Sequence, residues 1–344
     1  MTLLLEQLIT LVLNINSNKK GNQMKKIFFL ISLLISFILI TLSLSIGSVI
    51  IPIKNLLFLS PMDDYMKMIV FELRLPRIIM AFLVGMLLAS SGNIVQIIFQ
   101  NPLADPYIIG IASSATFGAV IAYLLKLPEF YYGVIAFISC MLSTLLIFKI
   151  SKRGNKIEVN TLLIVGITLS SFLGGFTSFS IYMIGEDSFK ITMWLMGYLG
   201  NASWRQILFL IFPLVFSSIY FYSKRNELDI LMLGDEQAHS LGINISKLKF
   251  HLLIVSSFVV AYSVAFTGMI GFVGLIVPHI MRSIIGPLNS RLIPFVLIYG
   301  GVFLLFCDTV GRIILSPVEV PIGVITSILG APFFLYLALK ARRK

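Results

Sequence analysis

Apolar stretches long enough to cross a membrane recur along the whole chain, separated by short polar connections. The first unbroken one, Ile27 to Ile50, runs 24 positions without a charged residue. A helix rises about 1.5 Å per residue, so roughly 20 apolar residues span the ~30 Å hydrocarbon core of a bilayer. Further stretches bounded by charges, Pro and Gly lie at about 77–99, 108–125, 131–149, 161–184, 207–223, 249–267, 269–286, 292–311 and 320–339, about ten in all. Hydrophobic residues make up 58% of the 344 and charged ones 12%, against about 25% charged in a soluble domain. So little charge cannot cover a water-exposed globule, which excludes a soluble enzyme and a disordered protein. The expected fold class is an all-α polytopic membrane protein with about ten transmembrane helices.

Residues 1–23 read as an N-terminal extension: Leu3 to Ile15 is apolar but short and interrupted by Glu6, and a polar stretch follows. The alternative is a native start at Met24. Residues 24–344 are expected to form a single transmembrane domain. Its first run is too long for a signal-peptide core and lacks a small-residue cleavage site, so it reads as a retained span. The eighth span is short and contains Pro278, which makes it the candidate for a broken or tilted helix. A carbonyl freed there needs a partner from protein or a water-lined cavity. Cys140 and Cys307 lie in apolar runs and read as buried thiols rather than a disulfide.

The net charge of +11 would suit a nucleic-acid binder only if it were clustered on a soluble face. Cytoplasmic loops of membrane proteins carry an excess of Lys and Arg. With the N-terminus placed inside, 18 of the 26 basic residues fall inside; the other eight are Lys54, Lys67, Arg74, Arg77, Lys126, Lys190, Arg205 and Arg312. That asymmetry supports two cytoplasmic termini and removes the nucleic-acid reading. Two connections exceed a tight turn. The outer one, Gly185 to Gln206, carries Trp194, Tyr198 and Trp204 and suits a short interfacial helix. The inner one, about 223–248, is mixed in charge and reads as a folded cytoplasmic element.

Catalysis would need clustered His, Asp, Glu or Ser. His239, His251 and His279 are widely separated and never paired at i, i+4, so they form neither a catalytic nor a metal-binding motif. No Gly-rich loop ends in Lys-Ser or Lys-Thr, the signature of a phosphate cradle. Ionisable residues inside spans are functional candidates. Asp308 and Arg312 stand four apart near the outer end of the ninth span, close enough to pair. The spans otherwise offer small and hydroxyl residues, above all the fifth, with Ser170, Ser171, Gly174, Gly175, Thr177 and Ser178. Such a face lets helices approach closely, or lines a path for a polar solute. Scarce intramembrane acids argue against an ion-coupled secondary transporter, so the energy source would lie elsewhere.

Four blocks share a further pattern. Leu73-Arg74-Leu75-Pro76-Arg77 opens the first, followed by Gln96, Asn101-Pro102-Leu103-Ala104-Asp105-Pro106 and Ile108-Ile109-Gly110. The second is Gly234-Asp235-Glu236-Gln237-Ala238-His239-Ser240-Leu241-Gly242, and the third runs from Phe272-Val273-Gly274 through Pro278-His279 to Arg282. The fourth runs from Asp308 and Arg312 through Glu319-Val320-Pro321-Ile322-Gly323 to Gly330-Ala331-Pro332-Phe333. In order and spacing, from about Ile27 to Lys340, the chain resembles the FecCD family of bacterial ABC-importer permeases, which move ferric siderophores, haem and cobalamin. It departs from the family at Ser113-Ser114-Ala115, where a Gly-Ala pair is usual, and in residues 1–23, which have no counterpart.

The resemblance implies a permease subunit of a bacterial cytoplasmic membrane, with an inverted repeat of spans 2–5 and 7–10. It implies a second permease subunit, identical or not, and an extracytoplasmic solute-binding protein. Two cytoplasmic ATPase subunits would bind ATP and Mg, leaving this chain without a cofactor and without catalysis of its own. The inner loop would couple to the ATPase through Gly234, Asp235, Glu236, Ala238, Leu241 and Gly242. Arg74, Arg77 and Arg312, outside by charge count, would meet acids of the binding protein; snorkelling to lipid phosphates is the competing reading. Ser170, Ser171, Thr177 and Ser178 would line the path. Asn101, Pro102, Asp105, Pro278, His279, Arg282 and Asp308 would be structural. The expected function is import of an iron complex, ferric siderophore or haem, by alternating access, with cobalamin as the alternative cargo.

Overall fold

The computed structural model describes residues 30–47, 49–56, 61–128, 130–153 and 156–341. The expected extension at 1–23 and the alternative start at Met24 lie outside the described residues. Among those described are ten apolar helices: α1 (Leu30–Ser45), α2 (Leu75–Ile98), α3 (Ile111–Leu124), α4 (Phe130–Ser151), α5 (Val159–Ile184), α6 (Trp204–Ser223), α7 (Ile245–Thr267), α8 (Val273–Ile285), α9 (Asn289–Ile313) and α10 (Ile322–Ala341). Each of α2 to α10 lies within a few residues of an expected span. Six of the ten are long and apolar enough to cross a membrane by length and composition. A two-residue pairing of Lys152–Arg153 with Lys156–Ile157 follows α4.

Local chemistry sets the starts. Asp63 accepts the Met66 N–H at 2.8 Å and caps a short helix, Asp64–Met68. That helix runs through a π-turn, Ile69–Arg74, into α2, with Pro76, which has no N–H to offer the preceding turn, in the first turn of α2. α6 opens with a capping box: Ser203 Oγ accepts from Gln206 N at 3.4 Å and Gln206 Oε1 from Ser203 N at 3.1 Å. The outer connection holds the expected short helix, Phe189–Leu195, and the Trp204 indole donates to Phe71 O at 3.1 Å. The inner connection folds into two short helices, Arg225–Leu231 and Asp235–Ser240.

Pro278 does not break α8; the helix continues through it to Ile285. The break falls at Phe272, which holds a left-handed φ of 69° immediately before the first helical residue. Pro278 has no N–H for the Gly274 carbonyl one turn back. That carbonyl instead accepts from Gln96 Nε2 of α2 at 3.4 Å, and the Leu275 carbonyl accepts from the same nitrogen at 3.1 Å. The freed acceptor is thus satisfied across a helix interface.

α2 is the axis of the bundle: 78% of its most apolar window is buried, against 22% for α5. It packs along α9, where a side chain at Gly85 or Gly300 would strike the other's carbonyl. Gly92 meets the Gly274 backbone of α8 in the same way. Small residues let these backbones touch, which is how helices gain contact where solvent is itself apolar. Leu142, Leu208 and Phe212 are exposed on the outward faces of α4 and α6, as a lipid-facing surface requires. Cys140 and Cys307 are buried free thiols.

Candidate functional site

At the start of α2, Arg77 Nε donates to Asp308 Oδ1 of α9 at 2.9 Å, and Nη1 reaches both oxygens of Glu319 at 2.9 and 2.8 Å. Arg312 Nε stands 3.1 Å from Asp308 Oδ2. That contact is an ion pair without hydrogen-bond alignment, since neither atom makes a hydrogen bond. Asp308 therefore sits between two guanidiniums, and the expected i, i+4 pair with Arg312 is one half of its bonding. The Tyr198 ring lies 6.0 Å from the Arg77 guanidinium carbon.

The other guanidinium contacts depart from the expectation of three outward docking arginines. Arg74 and Arg312 are each 6% exposed. Arg74 donates to the carbonyls of Leu44, Ser45 and Val49. Arg312 donates to Ser43 O at 3.2 Å and Ile46 O at 3.3 Å, and to the Ser43 hydroxyl. These acceptors close the C-terminal end of α1, where unpaired carbonyls carry partial negative charge. Arg74 and Arg312 are therefore committed to α1, and Arg77 to two carboxylates within the chain. Glu319 belongs to the cluster and was not singled out from sequence; its place in the fourth block, just before Pro321, was the available signal.

At the other end of α2 the inner segment meets the bundle. Gly234 (φ +116°) and Gly242 (φ +82°) bracket the helix Asp235–Ser240 with backbone conformations that side-chain-bearing residues avoid. Asp235 Oδ2 accepts from Lys249 Nζ of α7 at 2.7 Å, and Gln100 Nε2 lies 3.4 Å from Oδ1. Ala238 is fully buried, whereas Leu233 and Leu241 are 64% and 62% exposed beside exposed Glu236, Gln237 and His239. Asp235 and Ala238 thus anchor the segment, and Glu236 and Leu241 face outward. Two large leucines are thus exposed on a polar connection. Lys224, at the head of the segment, donates to Glu227 at 2.9 Å, and this hydrogen bond raises its pKa.

Between these two regions lies a row of buried amides. Arg282 of α8 donates through Nη1 to Gln96 Oε1 and through Nη2 to Asn93 Oδ1, both at 2.9 Å. Asn93 Nδ2 donates to Asn289 Oδ1 at 3.0 Å, and Asn289 donates its side-chain and backbone N–H to Asp229 Oδ1 at 2.7 and 2.8 Å. Of these, sequence reading singled out Arg282 and noted Gln96. Asn93, Asn289 and Asp229 belong to no motif and come from three separate helices.

The α5 hydroxyls split by helical phase. Ser170 and Thr177, seven apart, turn toward the bundle, with Thr177 buried; Ser171 and Ser178 lie on the open face beside Thr168 and Gly175. Thr168, Ser171, Thr177 and Ser180 each donate to the carbonyl four residues back, at 2.8 to 3.0 Å. Asn101 and Asp105 shape the turn after α2: Asn101 Oδ1 accepts from Leu103 N at 2.9 Å and Asp105 Oδ1 from Tyr107 N at 2.7 Å, with Pro102 exposed between them. His279 stacks edge-on to Phe333 at 6.0 Å. Ser114, at the departure from the family pattern, is buried and donates to Gly110 O at 2.8 Å. A cavity of about 930 Å³, lined by Phe130, Phe137, Trp194, Phe209, Lys190 and Glu319 among others, opens beside the Arg77 cluster.

A family model described as the FecCD transport family matches residues 33–340. The chain is 39% identical over 274 residues to the cobalamin import system permease protein BtuC of Halobacterium salinarum, across 79% of this chain and 73% of that one. It is 36% identical over 289 residues to the hemin transport system permease protein HmuU of Yersinia pestis, across 82% and 86% of the two chains. Its fold is similar to a solved structure assigned as a metal-chelate type ABC transporter in an inward-facing conformation, with a TM-score of 0.82 and 32% identity over 92% of this chain and 99% of that one.

Proposed function

The chain belongs to the FecCD transport family, and on that premise we propose that it is the membrane-spanning half of an importer that moves an iron complex by alternating access. The observation that carries this reading is the inner segment: a glycine-bracketed helix anchored by Asp235 and Ala238 that leaves Leu233, Glu236 and Leu241 facing out. ATPase subunits, holding ATP and Mg, would seat on that face. A second permease subunit would cover α5, whose open face is poorly packed within one chain. The solute-binding protein would dock at the Arg77 end, where Arg74, Arg77 and Arg312 gather.

Haem or a ferric siderophore is the cargo favoured by likeness to a hemin permease and to a metal-chelate transporter. Cobalamin is the second reading, supported by the BtuC relative. The solute would pass along the Ser171–Ser178 face of α5, and the chain itself would make and break no covalent bonds. The test is reconstitution in proteoliposomes with the partner ATPase and binding protein. ATP-dependent uptake of haemin or a ferric siderophore is expected, and uptake driven by an ion gradient without ATP would overturn the reading. Replacing residues 238–242 with a Gly-Ser linker is expected to abolish ATPase capture while the chain still inserts.

A further inference from the structure

The buried amides have a direction. A guanidinium can only donate and a carboxylate can only accept, so Arg282 at one end and Asp229 at the other fix how Asn93 and Asn289 must point. Each amide accepts on its Arg282 side and donates on its Asp229 side, at 2.7 to 3.0 Å throughout. The two charges are thus joined through two aligned amides rather than by contact. Hydrogen bonds aligned this way polarise and strengthen one another in a low-dielectric interior. Asn93 is 1% exposed and Asn289 not at all, so water does not compete.

The row has a mechanical end at each side. Asp229 lies on the short helix Arg225–Leu231 of the inner segment, and its carboxylate receives the N–H of Asn289, the first residue of α9. The second arm of Arg282 holds Gln96, which holds the Gly274 carbonyl that Pro278 leaves without an intrahelical donor. Beyond Gly274 lies the left-handed Phe272, whose ring occupies the space a side chain at Gly330 of α10 would need.

We propose that Asp229, Asn289, Asn93 and Arg282 form a relay that transmits displacement of the inner segment to the proline-containing helix α8, with Asp229 as the positioning residue at its head. The relay rests on the transport reading above, and two measurements separate them. In proteoliposomes holding the assembled complex, solute imported per ATP hydrolysed is compared between the unaltered chain and Asp229→Asn, which keeps the shape and one acceptor oxygen but removes the charge and the fixed direction it imposes on the row. The ratio is expected to fall about fivefold, the difference between a hydrogen bond to a charged acceptor and one to a neutral acceptor, and Asp229→Glu is expected to restore most of it. Glu227→Gln, on the same short helix but bonded to Lys224, serves as the control and is expected to keep the ratio. An unchanged ratio in Asp229→Asn, or an equal fall in Glu227→Gln, would overturn the relay while leaving the transporter in place. Failure of the unaltered complex to import with ATP would overturn the transport reading instead. Should Asp229→Asn not assemble, Asn289→Ser interrupts the same row and is read by the same ratio.

Discussion

At Arg77, α2 is tied to α9 through full charges, with Asp308 held between Arg77 and Arg312. About four turns further on, it is tied to the same helix through neutral amides, Asn93 to Asn289. One pair of helices, closed in the middle by touching glycine backbones, is therefore fastened at its two ends by different chemistry. Buried charges attract strongly but are costly to strand: removing one partner leaves another uncompensated. Amides cost less to bury and less to lose. The charged end suits a joint that stays shut except under a strong competing field, and the amide end suits a joint that shifts without passing through a bare ion.

The sharpest way to break this comparison is at Asp308. Asp308→Ala removes the one carboxylate that Arg77 and Arg312 share and is expected to lower the stability of the detergent-purified chain by about 3–5 kcal/mol. Denaturant or thermal unfolding monitored by circular dichroism would show it, and a loss below that of any amide variant would void the distinction. Asn93→Ala removes one link from the amide row and is expected to cost about 1–3 kcal/mol. A larger loss than Asp308→Ala would reverse the assignment of roles. Lys67→Ala opens the pair with fully exposed Asp64 on the approach to α2 and is expected to leave the unfolding midpoint where it was, because solvent screens such pairs. A measurable shift there would mean the short helix Asp64–Met68 supports the charged end.

Hydropathy made the helices legible: spans expected at 161–184 and 292–311 appear as Val159–Ile184 and Asn289–Ile313. The Asp308–Arg312 pair was legible because four-residue spacing is local. Arg77 to Asp308 was not, since the contact crosses 231 positions and no pattern along the chain encodes it. The amides were silent for another reason: Asn and Gln inside apolar runs resemble ordinary polar interruptions until three helices converge. Pro278 was legible as a missing donor, whereas the rescue by Gln96 from another helix was not. The arginines near Arg77 were visible as charges, but the capture of Arg74 and Arg312 by carbonyls at the end of α1 depends on where α1 stops, and backbone acceptors leave no mark in composition.

On the open face of α5, Thr168 and Ser171 bond back to their own helix, so each has already used its one proton. The face keeps lone pairs and hydrocarbon but few free donors. Such a surface has low adhesion. A cargo rich in carboxylate, carbonyl or phosphate oxygen would find little to hold it there and would not dwell, leaving selection to whatever delivers it.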